Sequence, residues 1–181
     1  GQAGLSTSYF LTQKGIDHVV LEKGKIADNW RSSRWDSFRL ITPNSMTQLP
    51  GFPYKGNDPK GFDGKDEMIK YFKKYAKSFN APVVESTKVI ELKQNKNGFL
   101  LKTNKANFEA KNVVVAIGSF HKPLIPSVAK ILPKNIFQIH SSGYKNAKQL
   151  PKGSVLIVGG GNSGIQIAVD LGLDKERIKH Y

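Results

Sequence analysis

The sequence predicts an α/β chain in which a glycine turn opening a helix stands at both ends, preceded by a strand at the second. Three observations predict it. Two runs of consecutive apolar residues, Val113-Val114-Val115-Ala116-Ile117 and Val155-Leu156-Ile157-Val158, each end on glycine, as buried parallel strands do. The second run leads into Gly159-Gly160-Gly161-Asn162-Ser163-Gly164 and then a helical pattern. Gly1-Gln2-Ala3-Gly4-Leu5 matches Gly161-Asn162-Ser163-Gly164-Ile165 at a single offset of 160, and Leu11 matches Leu171 at the same offset.

The remaining elements follow in order. Residues 5–13 read as a helix that Gly15 ends, being free to take positive φ. His18-Val19-Val20-Leu21-Glu22 reads as a short buried strand closed by an acid. Residues 24–63 show little periodicity and much punctuation from Pro and Gly, and an irregular stretch of that length in a compact chain is more often functional than idle. Residues 66–79 form an amphipathic helix, with Met68, Phe72, Tyr75, Ala76 and Phe79 on one face and Lys70, Lys73, Lys74 and Lys77 on the other. Residues 83–110 read as short antiparallel strands, with Asn97-Gly98 as a hairpin turn. Pro123, Pro126 and Pro133 mark a connection. Residues 18–22 and 113–117 are expected side by side in one parallel sheet. The expected division is a first domain over 1–150 and the start of a second over 151–181.

Composition is that of a globular protein, 39% hydrophobic and 10% aromatic in 181 residues. Cysteine is absent, which excludes a disulfide framework, a cysteine zinc site and a redox dithiol within this stretch and fits a cytoplasmic protein. No apolar run approaches the ~20 residues that span a bilayer. The four histidines, His18, His121, His140 and His180, show no metal-ligand spacing, so no metal is expected. The net charge of +14 raises a nucleic-acid reading, but the lysines are dispersed without a run of five or six. A solvated basic surface is the expectation. Residues 30–39 are the only stretch that a basic nucleic-acid module could use.

Gly159, Gly161 and Gly164 make a full G-x-G-x-x-G in the context that gives it meaning, after a strand and opening a helix. The first glycine allows the tight turn, the second lets the backbone approach a pyrophosphate, and the third lets helix and strand pack closely. Free N–H groups and the positive end of the helix dipole then face the phosphates. By the offset of 160, Gly1 takes the second-glycine place of a first such turn, whose strand and first glycine would precede it. Glu22 ends the next strand eighteen residues after Gly4, close to the spacing at which an acid binds the ribose hydroxyls of an adenine dinucleotide. The bland alternatives, a ligand-free glycine turn and a surface Glu before a Lys-Gly-Lys turn, stay open at this point. The matching acid for the second turn would fall at position 182, one past the last residue.

Two such turns some 160 residues apart resemble the flavoproteins with two dinucleotide-binding domains. Trp30-Arg31 with Arg34-Trp35-Asp36-Ser37-Phe38-Arg39-Leu40, then Thr42-Pro43 and Leu49-Pro50-Gly51-Phe52-Pro53, resemble the segment after the ribose acid in flavin-containing monooxygenases and their bacterial flavoprotein relatives. Ala116-Ile117-Gly118 is similar to that family's Ala-Thr-Gly strand end, and His140-Ser141-Ser142-Gly143-Tyr144 to the end of its signature. Lys134 and Ile136 stand where the signature has Phe and Gly, which favours the looser bacterial group.

The resemblance implies a Rossmann-like FAD/NAD(P)-binding fold lacking its first strand and C-terminal part. It implies FAD at Gly1, Gly4, Glu22, Lys23, Trp30, Arg31, Ala116 and Gly118, and NADPH or NADH at Gly159, Gly161, Asn162, Ser163 and Gly164. The implied activity is hydride transfer from NAD(P)H to FAD, then reaction with O2 and oxygen transfer to a small nucleophilic substrate. Asn44 falls in the loop where related monooxygenases carry a polar residue beside the reactive flavin face, so it is the candidate catalytic side chain; an Asn in a Pro-Asn-Ser turn is the competing reading. His140 and Tyr144 are expected to fasten the connection into the second domain. A flavoprotein reductase or oxidase without oxygenation remains the rival enzyme. A dithiol disulfide reductase lacks its cysteines here.

Overall fold

The computed structural model describes residues 1–119 and 122–172. His121 and His180 therefore lie outside the described residues. Helix α1 spans Gln2–Gln13 and ends as its sequence expects. Gly15 takes φ +64°, and the N–H groups of Gly15 and Ile16 donate to the Thr12 and Leu11 carbonyls at 3.0 Å each. That pair satisfies two carbonyls the helix end leaves open. The chain returns through strand β1, Val20–Leu21. His18 ties this return to the helix, its Nδ1 donating to the Ile16 carbonyl and its Nε2 accepting from the buried Ser8 hydroxyl, both at 2.8 Å.

The stretch read as irregular contains more order than its sequence announces. A short helix α2 covers Asp28–Ser32. Strands β2, Gln48–Leu49, and β3, Phe52–Pro53, form a small antiparallel pair around the Pro50-Gly51 turn. Helix α3 then runs over Lys65–Ser78, with Asp66 and Glu67 in its first turn and Lys77 in its last, as the helix dipole prefers. Its apolar face, Met68, Ile69, Phe72, Tyr75 and Ala76, is buried and joins Leu5, Ala27 and Leu49 in one core. Burying a side chain the size of Phe or Met contributes roughly 1.5–3 kcal/mol, so this face fastens α3 to α1 and to the loop between them. Asn80 stops the helix at φ +53°, and the Ala81 N–H donates to the Ala76 carbonyl at 2.9 Å.

Strand β4, Val83–Val84, runs parallel to β1 with Val20 opposite Val83 and Leu21 opposite Val84. Strands β5, Val89–Asn95, β6, Gly98–Thr103, and β7, Asn107–Ala110, form the expected antiparallel layer. After a long connection, helix α4 spans Asn162–Gly172.

Three strand expectations need correction. Residues 83–84, expected in the antiparallel layer, pair parallel with β1 instead. Residues 113–117 do not lie beside residues 18–22: β1 pairs with β4, and residues 113–117 join no ladder among the described residues. Val114, Val115 and Ile117 are 63%, 67% and 72% exposed rather than buried. Residues 155–158 likewise join no ladder, with Leu156 and Val158 exposed. The reason is geometric. Ladder partners stand ~4.8 Å apart, and residues 113–117 run near the first turn of α1 instead, where Ala116 Cβ is 3.6 Å from the place a Cβ on Gly4 would take.

Candidate functional site

Each glycine turn opens a helix. Helix α1 opens at Gly1 without a side-chain cap and without an acid in its first turn. The Leu5 N–H donates to the Gly1 carbonyl at 3.1 Å, so the N–H groups before it have no intrahelical acceptor. Helix α4 repeats this, with the Ile165 N–H on the Gly161 carbonyl at 3.1 Å and no acid in its first turn. Asn162, Ser163 and Gly164 thus supply the free N–H groups.

The glycines of the second turn do separate jobs. Gly159 takes φ +113°, which an L side chain rarely adopts. A Cβ on Gly164 would collide with the Gly159 carbonyl oxygen and come within 3.5 Å of Ile157 Cγ2, so only glycine lets α4 sit this close to the preceding segment. A Cβ on Gly161 meets nothing within 4 Å. The turn is tight on its inner side and open at its middle glycine, and the open side adjoins uncapped N–H groups. An anionic diphosphate fits such a cradle. In the first turn a Cβ on Gly1 would meet nothing within 4 Å, and one on Gly4 would only touch Ala116 at 3.6 Å, so the close approach at Gly164 is not repeated there. Gly118 takes φ +73° at the end of the segment that carries Ala116.

Glu22 is half-buried at the end of β1. Its Oε1 accepts from the Gly24 N–H at 3.0 Å, and its own N–H and carbonyl join the Val84 carbonyl and the Thr87 N–H. Backbone bonds on both sides fix the carboxylate's base. Lys23 beside it is exposed. The Ile26 N–H donates to Glu85 Oε1 at 2.7 Å, a support for this loop that the sequence did not signal.

Trp30 and Arg31 part company. Trp30 is half-buried between Phe38 and Phe72, with ring centroids 5.6 and 6.0 Å away, and the cation over its ring is Arg34 at 5.5 Å. Arg31 is exposed. Partial burial holds the Arg34 guanidinium below its ordinary pKa.

Asn44 is 2% exposed. Its Nδ2 donates to the Asp58 carbonyl at 2.9 Å, and its Oδ1 accepts from the Asp63 N–H at 2.6 Å. The amide clamps two strands of its own loop. Neighbouring Asp63 titrates above the ordinary carboxylate range, chiefly through burial and then through Glu67 nearby.

Helix α4 is fastened at Tyr144, which is 2% exposed and donates to Asp170 Oδ2 at 2.5 Å. Tyr144, Trp35, Leu150, Ile167 and Leu171 form a second core. His140 turns its own loop, Nδ1 accepting from the Ser142 N–H at 3.1 Å. Around Trp35 polar contacts tie the run to the connecting segment: the Asp36 N–H donates to the Lys145 carbonyl at 2.8 Å, Lys145 Nζ to the Arg34 carbonyl at 3.1 Å, and Asn146 Nδ2 to Asp36 Oδ2 at 2.7 Å. Asp36 is held below the usual carboxylate range, first by its hydrogen bond from Lys65 and then by that from Asn146. Burial, then the charge of Lys65, lowers Lys145.

Residues 1–181, the whole chain, match the family described as pyridine nucleotide-disulphide oxidoreductase. An oxidoreductase of Bacillus subtilis named CzcO, itself described as uncharacterized, is 46% identical over 181 residues, 99% of this chain and 51% of the relative. A probable indole-3-pyruvate monooxygenase of Arabidopsis thaliana, YUCCA4, is 30% identical over 94% of this chain and 42% of its own length. The structure of a flavin-containing monooxygenase from Stenotrophomonas maltophilia superposes with a TM-score of 0.78 at 25% identity, covering 96% of this chain and 52% of that one. The chain spans about half the length of the curated relatives it matches. The fold is Rossmann-like, as the glycine turns imply. Among the described residues no helix is long and apolar enough to cross a membrane.

Proposed function

We infer the activity from one premise: the chain belongs to the pyridine nucleotide-disulphide oxidoreductase family. In this reading residues 1–150 hold FAD and residues 151–181 begin the NAD(P)H site of a flavin-dependent oxidoreductase, whose outcome is oxygenation of a small nucleophilic substrate by O2. The observation that carries it is the second turn. The close approach of Gly164 to the Gly159 carbonyl, with an open Gly161 at the start of α4, supports reading this turn as a diphosphate cradle.

Gly1, Gly4 and the first turn of α1 would take the FAD diphosphate, Glu22 the ribose hydroxyls, and Ala116 and Gly118 the facing wall. Lys23, Trp30 and Arg31 border this site, Trp30 through packing and the two cations through charge. Gly159, Gly161, Asn162, Ser163 and Gly164 would take the NADPH or NADH diphosphate. Bound FAD supplies the electron exchange with NAD(P)H and the reaction with O2. The chain's own contribution is to bind, orient and exclude water. Asn44 acts through its loop, since both ends of its amide are engaged there.

That engagement is also the specific observation favouring a second reading, a reductase or oxidase without substrate oxygenation. It ties the one side chain nominated to hold oxygen into its own loop and leaves it only the second Nδ2 hydrogen. The monooxygenase relatives favour the first reading. The deciding experiment is anaerobic flavin bleaching of the full-length protein by NADPH and by NADH. Bleaching by one of them is expected. Failure of both would overturn hydride transfer. Bleaching followed in air only by hydrogen peroxide, with every nucleophile tried, would install the second reading.

A further inference from the structure

Helix α4 meets the first unit along two adjacent ridges, each an i, i+4 pair. Ile167 and Leu171 are buried against Trp35 and Tyr144. Gln166 and Asp170 form the other ridge, and both make hydrogen bonds. The Arg39 N–H donates to Gln166 Oε1 at 3.2 Å, while Gln166 Nε2 donates to the Arg39 carbonyl at 2.9 Å. The side-chain amide therefore pairs with the backbone of one residue in both directions, as a strand neighbour would. The Arg39 peptide is itself anchored: Arg39 bridges Gly64 in antiparallel fashion, and the Leu40 N–H donates to the Asp63 carbonyl at 2.9 Å.

We propose that Gln166 is a positioning residue for hydride transfer: its two-way hydrogen bond to the Arg39 peptide sets the rotation and axial register of α4 on the first unit, and so the alignment of the nicotinamide with the flavin. The proposal rests on the oxidoreductase reading above. The apolar ridge supplies adhesion, but apolar contact is non-directional and tolerates sliding and rolling of a helix. The amide pair does not, because both bonds weaken steeply off axis. Gln166 also lies only two residues beyond Gly164. At ~1.5 Å of rise per residue, a slip there moves the diphosphate cradle by nearly the same amount, and a displacement of ~1 Å in a reacting pair can cost two orders of magnitude in rate. The glycines decide whether the dinucleotide binds; Gln166 decides where the bound dinucleotide points.

The test uses the full-length protein with Gln166→Leu, which keeps the bulk and removes both bonds, and Gln166→Glu, which keeps only the acceptor for the Arg39 N–H. Three quantities are read: hydrogen exchange at the Arg39 amide, the dissociation constant of NADP+, and the limiting rate of anaerobic flavin reduction at saturating NADPH or NADH. In Gln166→Leu the Arg39 amide should lose protection and the limiting rate should fall roughly tenfold or more. NADP+ affinity should stay within about twofold, the split that marks positioning rather than binding. Gln166→Glu should fall between Gln166→Leu and wild type, and it carries the test if Gln166→Leu does not fold. Unchanged exchange at Arg39, an unchanged limiting rate, or a rate loss matched by an equal loss of NADP+ affinity would each overturn the proposal. If neither nucleotide reduces the wild-type flavin, the oxidoreductase reading fails and takes this one with it. Reduction of wild type and Gln166→Leu at equal rates overturns this proposal alone.

Discussion

Replacing Gly164 and Gly161 separately by alanine should give opposite phenotypes, because the same added methyl meets a backbone atom at one position and open space at the other. In Gly164→Ala the new Cβ runs into the Gly159 carbonyl oxygen, which has no rotamer with which to yield. Overpacking of that kind costs ~1–3 kcal/mol, and a rigid obstacle puts it at the upper end. Alanine returns about 1 kcal/mol through its better helix propensity at a position inside α4. The net expectation is a loss of about 2 kcal/mol, read as a midpoint shift of ~2–4 °C per kcal/mol in a domain of 150–250 residues. Gly161 lies before α4 and has no positive φ, so alanine there should change stability by less than ~0.5 kcal/mol. It places a methyl in the proposed cradle, and NADP+ affinity should fall by about tenfold or more, some 1.4 kcal/mol. The assays are thermal unfolding without nucleotide and equilibrium NADP+ titration of the full-length variants. A Gly164→Ala protein as stable as wild type would show that α4 is not seated on the Gly159 carbonyl. A Gly161→Ala protein with unchanged NADP+ affinity would remove the cradle.

Four further outcomes are expected. Glu22→Ala should weaken FAD binding by ~1–3 kcal/mol, the worth of hydrogen bonds to a charged group, measured by FAD release on dilution; Glu22→Gln should lose less, and equal loss in the two would argue against a carboxylate–ribose contact. Asn44→Ala should lower stability by ~1–3 kcal/mol by leaving the Asp58 carbonyl and Asp63 N–H unsatisfied, and a urea titration showing no loss would refute the clamp. Asp36 has a folded pKa below its unfolded one, so its contribution is present above the unfolded value, near pH 4, and is lost as pH falls through the folded value. The stability difference between wild type and Asp36→Asn should therefore be flat at neutral pH and vanish in acid; a difference persisting at about pH 2 would show that the carboxylate's charge is not its source. Residues 1–181 expressed alone should bind a hydrophobic dye and self-associate through Val114, Val115, Ile117, Leu156 and Val158, which analytical ultracentrifugation would detect.

What could be read from the sequence was what is written locally. Helix α3 was legible because its apolar positions recur at helical spacing, and its end because Asn80 and Pro82 stop it. Helix α1 was legible at its end through Gly15, while its start was placed three residues late, since Gln2-Ala3-Gly4 carry no periodic signal. The hairpin at residues 95–98 followed from Asn97-Gly98. Helix α2 was missed because five residues are too few to show a period. The β2–β3 pair was missed although Pro50-Gly51 is a turn signal, because two-residue strands leave no alternation to count. The pairing of β1 with β4 was beyond reach: the Val83-Val84 run was assigned to the antiparallel layer, and an apolar dipeptide does not state its partner.

The candidate site divides along the same line. Glycine spacing encodes a backbone path, so both turns could be placed from the sequence, and the collision at Gly164 is the structural form of that spacing. The seat of α4 was invisible because its partners are far apart in the chain: Gln166 meets a peptide 127 residues away and Asp170 a phenol 26 residues away. The sequence showed Trp35 and Arg39 as parts of a family-like run, and neither position advertised a partner. Trp35 forms the floor beneath Ile167 and Leu171, and Arg39 contributes its peptide rather than its guanidinium. A side chain chosen for its backbone leaves no mark in residue type. The run from Trp30 to Leu40 thus works on two sides: Trp30 packs toward Phe72 of the first core, while Trp35 and the Arg39 backbone carry helix α4, which opens the second glycine turn. If the proposed sites hold, a substitution that shifts this run should disturb both dinucleotide sites together, whereas one in either glycine turn should disturb only its own.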